Sequence, residues 1–231
     1  MSIEDMTPNS SIIKRHTVTA TVLELIRDRI VEGVYPGGQQ IRQEAIAEEF
    51  GVSRIPIREA LVQLEAEGFV QIHTHKGAVV AQLTVEDAID IFEARLVLEP
   101  SILRQAVTKA TAEDIERVRK ALHEYERGVA NDASPAQLSQ LNWAFHKALS
   151  SASGRWRSLA VLSSLYKSAD RYLRLQIDNA EARRNALEDH RAIAAAFVQQ
   201  DAALAQRLLA RHISGARDDV TKSLNMLKKA P

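Results

Sequence analysis

The sequence predicts a mostly α-helical chain in two parts, and three observations predict it. Residues 44–70 read as two helices joined by a tight glycine turn, and two short β-prone runs around a polar tip follow them. From residue 84 onward the chain reads as helix after helix, with no alternating strand pattern. A length of 231 residues suits two ordinary domains, and the pattern breaks after Leu83. The expected organisation is a flexible N-terminal arm over residues 1–16, which lack periodicity, a first domain over 17–83 and a helical domain over 84–231.

In the first domain, residues 18–31 place Val22, Leu25, Ile26 and Ile30 at helical spacing, and Gly33 with Pro36, Gly37 and Gly38 ends that helix. The next helix stops at Phe50, because Gly51 adopts the left-handed conformation without steric cost. Ser53 is placed to cap the following helix with its hydroxyl. Pro56 falls in that helix's first turn, where a missing N–H is harmless, so it marks a start and not a break. Ile57, Leu61, Leu64 and Phe69 make the buried stripe. Arg54 and Arg58 stand one turn apart at the end that a recognition helix points into the major groove, where arginine grips guanine O6 and N7. Two arginines on a helix are usually solvated charge, but the adjoining segment shifts the balance toward DNA. Residues 69–72 and 78–81 are β-prone, and residues 73–77 form a polar tip between them. Helix, loop, helix, turn, helix and hairpin in this order make a winged helix-turn-helix.

Zero cysteines exclude disulfides, thiolate metal sites and a cysteine nucleophile. No stretch approaches the ~18 apolar residues of a membrane span and no signal peptide is visible, so no membrane partner and a cytoplasmic location are expected. The net charge is zero, and residues 1–83 carry eight Lys and Arg against eleven Asp and Glu, a net of −3. That opposes the basic footprint usual in nucleic-acid binders. The distribution offsets it, because Arg42, Arg54, Arg58 and Lys76 can share one side while Glu24, Asp28, Glu44, Glu48, Glu49, Glu65 and Glu67 point away from a duplex. The expectation is a small, salt-sensitive footprint that needs two copies, hence a homodimer reading two half-sites of an inverted repeat.

In the second domain, Thr84 and Thr111 each precede acidic first-turn residues, Glu86 with Asp87 and Glu113 with Asp114, as N-caps do. Ser134 with Pro135 starts a third helix, and Gly154 separates it from a fourth that runs through Arg174. The fifth and sixth cover 180–199 and 202–228, hinged at Gln200 and Asp201, which makes an all-α bundle of about six helices. Three histidines fall on apolar stripes: His146 one turn after Asn142, His190 with Leu187, Ile193, Ala194 and Phe197, and His212 with Leu208 and Leu209. His190 and His212 are each eleven residues from position 201, so antiparallel helices put them at one height, ~16 Å from the hinge. One such histidine is more often a core residue than a ligand. Three that converge beside the Asn142 carboxamide make a nitrogen-rich site suited to a divalent metal such as zinc or nickel, with core packing as the alternative. His123, surrounded by Glu116, Arg119, Lys120 and Glu124, reads as a surface residue. Arg95 shares a face with Ile91, Phe92, Leu98 and Ile102, so its guanidinium is partly desolvated and suited to a carboxylate, either that of a small effector or that of Glu99 one turn on. Arg171 or Arg174, with Tyr172, are placed to line the same cavity.

The run Ile30 to Gly33, Pro36, Gly37, Ala45 to Ala47, Gly51 to Leu61, Leu64, Glu67, Gly68 and Lys76 to Ala78 resembles the DNA-binding domain of GntR-type bacterial transcription regulators. By that resemblance Arg54 and Arg58 make base and phosphate contacts, Ser53 and Pro56 sit at the DNA, and Lys76 and Gly77 form the wing tip. Glu93 to Glu99, Asn142 to His146, Glu188 to Ile193 and Arg211 to Ile213 resemble the effector-binding FCD domain of the FadR subfamily. In its metal-binding members an aspartate four residues before the first histidine joins three histidines around the ion. Here that position is Asn142, which offers one neutral oxygen. The implied function is a ligand-responsive, dimeric transcription regulator that binds an operator in double-stranded DNA and a small carboxylate effector, and is not an enzyme. A metal-dependent, hydrolase-like bundle enzyme is the competing reading, since three histidines and an open position can activate water. No general base is evident for it, because Asp189, beside His190 in sequence, points about 100° away on a helix.

Overall fold

A computed structural model describes residues 13–177 and 179–227 of the chain, with side chains from residue 18 onward. The chain divides between Gln82 and Leu83 into two compact units. Most of the expected arm, residues 1–12, lies outside the described residues, and residues 13–16 already belong to the first helix.

The first unit runs α1 (Ile13–Val31), β1 (Gln40–Ile41), α2 (Gln43–Phe50), α3 (Arg54–Ala66), β2 (Val70–His73) and β3 (Gly77–Val80). The inward face of α1 is Val22, Leu23, Ile26 and Ile30; Leu25, expected there, is 42% exposed, because positions 22, 26 and 30 centre the stripe and 23 lies nearer that line than 25. Gly51 ends α2 at φ 64°, and its N–H bonds back to the carbonyls of Ala47 and Glu48. Ser53 stands at the N-cap of α3 in an extended conformation, but its hydroxyl makes no capping bond. The third position of that helix is Pro56, which has no N–H to offer a cap. The hairpin pairs Val70 with Val80 and His73 with Gly77. Its second strand β3 is the central one and also pairs with β1, Gln40 opposite Val79 and Ile41 opposite Ala78, a two-residue strand too short to leave a pattern in the sequence. Ile26, Ile57, Leu61, Leu64, Phe69 and Val80 close the core that holds α3 and the wing in fixed relation.

The second unit is built from α4 (Val85–Lys109), α5 (Ala112–Ala130), α6 (Pro135–Ser151), α7 (Trp156–Ile177), α8 (Ala180–Val198) and α9 (Ala202–Leu227). Thr84 accepts the Asp87 N–H, and Thr111 with Asp114 and Ser134 with Gln137 form reciprocal capping boxes. Gly154, at φ 71°, breaks the chain between α6 and α7, and Gln200, at φ 57°, turns it between α8 and α9. Pro100 lies inside α4, where its ring is buried. Phe92, Leu103, Phe145, Ile193, Phe197 and Ile213 are among the fully buried side chains, each contributing on the order of 1.5–3 kcal/mol by leaving water. Helix α4 packs against α9, α7 and α6, and α8 lies against α9. Among the described residues no helix is long and apolar enough to cross a membrane.

Candidate functional site

In the first unit the exposed cations gather at the start of α3 and at the hairpin turn. Arg54 and Arg58 leave the first two turns of α3 into solvent, while Ile57 and Leu61 on the other face anchor the helix in the core. Pro56 is half-buried between them and Ser53 is exposed just ahead. Arg42, at the N-cap of α2, is exposed as well. The wing turn is set by Gly77 at φ 69°, and the Lys76 carbonyl accepts a bond from the Gln40 side chain, so β1 holds the turn at which Lys76 is displayed. Among the described residues Arg42, Arg58 and Lys76 have no side-chain partner.

Several of the acidic residues that make this unit negative are engaged internally. Arg27 pairs with Glu24 and Glu67, and Arg29 pairs with Glu49. Glu65 accepts the Ile72 N–H at 2.7 Å, fixing the hairpin to α3. The Glu44 carboxylate accepts from Arg54 Nη1 at 2.9 Å, which sets it beside one of the candidate DNA contacts.

In the second unit His146 from α6, His190 from α8 and His212 from α9 converge. Their ring centroids are 5.3 Å (His146–His190), 5.4 Å (His146–His212) and 4.8 Å (His190–His212) apart, and one ligand nitrogen from each lies within 4.8 Å of the others. All three are buried, and Phe145 and Tyr125 close over the His190 ring at 4.5 and 4.6 Å. The equal spacing of His190 and His212 about the α8–α9 hinge therefore does bring the two rings together.

Two carboxylates decide which nitrogens face inward. Glu99 Oε1 lies 2.7 Å from His146 Nδ1, and Asp189 Oδ2 lies 3.3 Å from His212 Nδ1. Burial alone would raise the Glu99 carboxyl, but Arg95 and then His146 hold it down at about 2, so it is ionised and can only accept. The His146 proton is therefore on Nδ1, and its Nε2 lone pair points into the cluster. Asp189 is desolvated too, but bonds from His212 and Arg211 keep it below its ordinary range, and the same logic applies to His212. Burial lowers His146 to about 4 and His190 well below the ordinary imidazole value, so both are neutral near pH 7. His146 Nε2 and both nitrogens of His190 are buried and have no hydrogen-bond partner among the described residues. A buried polar atom without a partner costs about 1–3 kcal/mol, and neutral imidazoles oriented by carboxylates are how metal-binding histidines are held. The residues thus fit a divalent cation.

The cavity beside the cluster is lined by Arg95, Asn142 and His212, with Tyr125 and the start of α8 (Ala182 and Arg183) across from them. Its volume is about 10 Å³, room for one water or ion. Arg95 lies inside it in a network: Nε donates to Glu99 at 3.2 Å, Nη2 donates to the Tyr166 hydroxyl at 2.6 Å, and that hydroxyl donates to Glu99 at 2.9 Å. The guanidinium also stacks 4.1 Å from the Tyr166 ring centroid. The internal pair with Glu99 is therefore formed, while Arg95 Nη1 is buried without a partner among the described residues. Tyr172 does not line this cavity. Its hydroxyl donates to Asp87 at 2.6 Å and accepts the Thr84 N–H, so it ties the start of α4 to α7, and the residues of α7 that reach the cavity are Leu173, Gln176 and Ile177. Arg171, half-buried, sits near Tyr172 and Asp87, and Arg174 pairs with Asp170. His123 is exposed. Sequence reasoning missed Tyr166 and the roles of Glu99 and Asp189 toward histidines. The visible signal for Glu99 was an acid within the apolar stripe of α4; Asp189 does point away from its neighbour His190, and it serves His212 instead.

Comparison with known proteins agrees with both units. Residues 18–80 match the family described as bacterial regulatory proteins, gntR family, and residues 90–215 match the FCD domain. The chain is 32% identical to the HTH-type transcriptional regulator BphR of Paraburkholderia xenovorans over 220 residues, 93% of this chain and 89% of that protein. It is 31% identical to the HTH-type transcriptional regulator YdhC of Bacillus subtilis over 124 residues, 54% of this chain and 55% of that one. Among solved structures, E. coli McbR/YncC superposes with a TM-score of 0.72 over 91% of this chain and 98% of that one at 18% identity, a likeness of fold. The relatives are transcription regulators, and they lend the hydrolase-like alternative no support.

Proposed function

The chain belongs to the GntR family of DNA-binding transcription regulators and carries an FCD domain, and from that premise we propose that it is a dimeric reader of an inverted-repeat operator whose helical unit senses a small carboxylate through a bound divalent metal. Each copy enters one major groove with Arg54 and Arg58, grips the backbone from Arg42 and Ser53 with Pro56 packed at the DNA beside them, and lays Lys76 and Gly77 along the flank. A footprint of so few cations binds weakly and salt-sensitively alone, which is why two copies are needed.

The observation that carries the sensing half is the set of inward, partnerless imidazole nitrogens on His146 and His190 beside His212, with the His146 and His212 rings aimed by carboxylates. These three residues with the Asn142 carbonyl would hold zinc, nickel or a similar ion. When bound, the ion supplies positive charge and open positions for a ligand oxygen. Asn142 brings no negative charge to offset it, so the balance is left to the effector, whose carboxylate also meets the partnerless Nη1 of Arg95. A cavity of about 10 Å³ does not admit such a molecule as it stands, so binding must move the wall formed by α8, and a ligand that favours one wall position over the other is what an allosteric sensor requires.

Elemental analysis after dialysis against zinc or nickel tests this. About one ion per chain is expected in the wild type, far less in His190→Ala, and tighter retention in Asn142→Asp. Wild-type protein that retains no ion against a metal-free buffer, with His190→Ala indistinguishable from it, would remove metal from the reading.

A further inference from the structure

The two arginines at the start of α3 are not equivalent. Arg58 is exposed with no partner among the described residues, whereas Arg54 is bonded to Glu44 in the first turn of α2. Both members of the pair stand in water, their side chains 68% and 73% exposed, so the contact organises no core and adds next to nothing to folding. Its effect falls on DNA binding. The unit has a net charge of −3 and shows four exposed cations on the candidate DNA surface, and one of these four carries a carboxylate. The hydrogen bond from Arg54 holds the Glu44 carboxyl below its ordinary range, so the pair is ionised near neutral pH.

A free arginine bonds any phosphate on any sequence, which raises affinity without raising discrimination. An arginine already bonded to a glutamate must give up that bond to reach a phosphate, which exchanges one anionic partner for another with little gain and sets the phosphate against the displaced carboxylate. The neutral O6 and N7 atoms of guanine offer two bonds in the plane of the guanidinium and do not repel that carboxylate. We propose that Glu44 is a specificity-determining residue, a counter-ion that keeps Arg54 from the phosphate backbone and releases it to guanine. The inference rests on the proposed placement of Arg54 at the bases.

The test begins by selecting a binding site from randomised duplex DNA with the wild-type protein. Binding to the selected duplex and to a scrambled one is then compared across 50–200 mM salt for the wild type, Glu44→Gln, Arg54→Ala and the double variant. Glu44→Gln should bind the scrambled duplex roughly five- to tenfold more tightly, with a salt slope steeper by about 0.9. It should gain less on the selected duplex, so that the ratio between the two falls several-fold. In the Arg54→Ala background the same substitution should change neither affinity. An unchanged ratio in Glu44→Gln overturns the proposal. So does an equal gain with Arg54 absent, which would make Glu44 a general repulsive charge. If Arg54→Ala binds the selected duplex as well as wild type, the placement of Arg54 at the bases fails, whatever Glu44 does.

Discussion

Arg95 and Arg54 each pair with a glutamate, at 3.2 and 2.9 Å, and the likeness ends there. The Arg95 and Glu99 side chains are 2% and 1% exposed, and Tyr166 and His146 engage them further. The Arg54 and Glu44 side chains are mostly in water, with no other side-chain partner between them among the described residues. In the interior an ion pair is a commitment, since neither charge can be left alone in a low dielectric. On the surface it is exchangeable, since water replaces either partner at little cost. One chain uses the same two residue types to fix the interior of its helical unit and to leave a contact on the surface of its DNA-binding unit adjustable.

The sharpest way to break this contrast is to remove one charge from the buried pair. Glu99→Gln leaves the Arg95 guanidinium uncompensated, and urea unfolding should show a loss of about 3–5 kcal/mol in the helical unit. A loss below about 1 kcal/mol would mean that water reaches the pair and that the two regions do not differ in kind.

Acid should come next in size. In metal-free protein His146 titrates near 4 when folded against 6.5 when unfolded, and His190 is lowered as well. Between these values the unfolded chain binds protons that the folded chain refuses, so stability must fall as pH drops from about 6.5 to 4. His146 alone accounts for about 3 kcal/mol. Glu99, held at about 2, contributes stability present above its unfolded value of 4.5 and lost as pH falls from there toward 2. Thermal melts of chelator-treated protein should show the first decline beginning above pH 5, before carboxylates titrate. A flat profile from pH 7 to 5 would mean that the imidazoles are not desolvated.

The smallest effect belongs to the exposed pair. Glu44→Gln should leave the urea midpoint of the first unit where it was, even as the DNA-binding ratio changes. A clear drop in the midpoint would show Glu44 to be structural and erase the comparison.

The elements legible in the sequence are those governed by neighbours in the chain. Gly51 announced the end of α2, Thr84, Thr111 and Ser134 announced three helix starts, and counting residues about the hinge put His190 level with His212. What stayed hidden was decided across helices. Tyr172 bonds Asp87, 85 positions away, Glu99 reaches His146, 47 positions away, and Asp189 chooses His212 over the histidine beside it. β1 is visible only once β3 lies beside it. Ser53 shows a local rule overridden by another local rule, the cap losing a donor to Pro56.

The hinge at Gln200 also says where this protein can change length. An extra residue inserted between His190 and Gln199 would swing His190 by about 100° and lift it about 1.5 Å, out of line with His146 and His212. The same residue added at positions 200–201, where the chain is already out of the helix, leaves both rings where they are. The hairpin is thus a gauge, tolerant of insertion at its midpoint and intolerant along either arm for as far as its histidines reach.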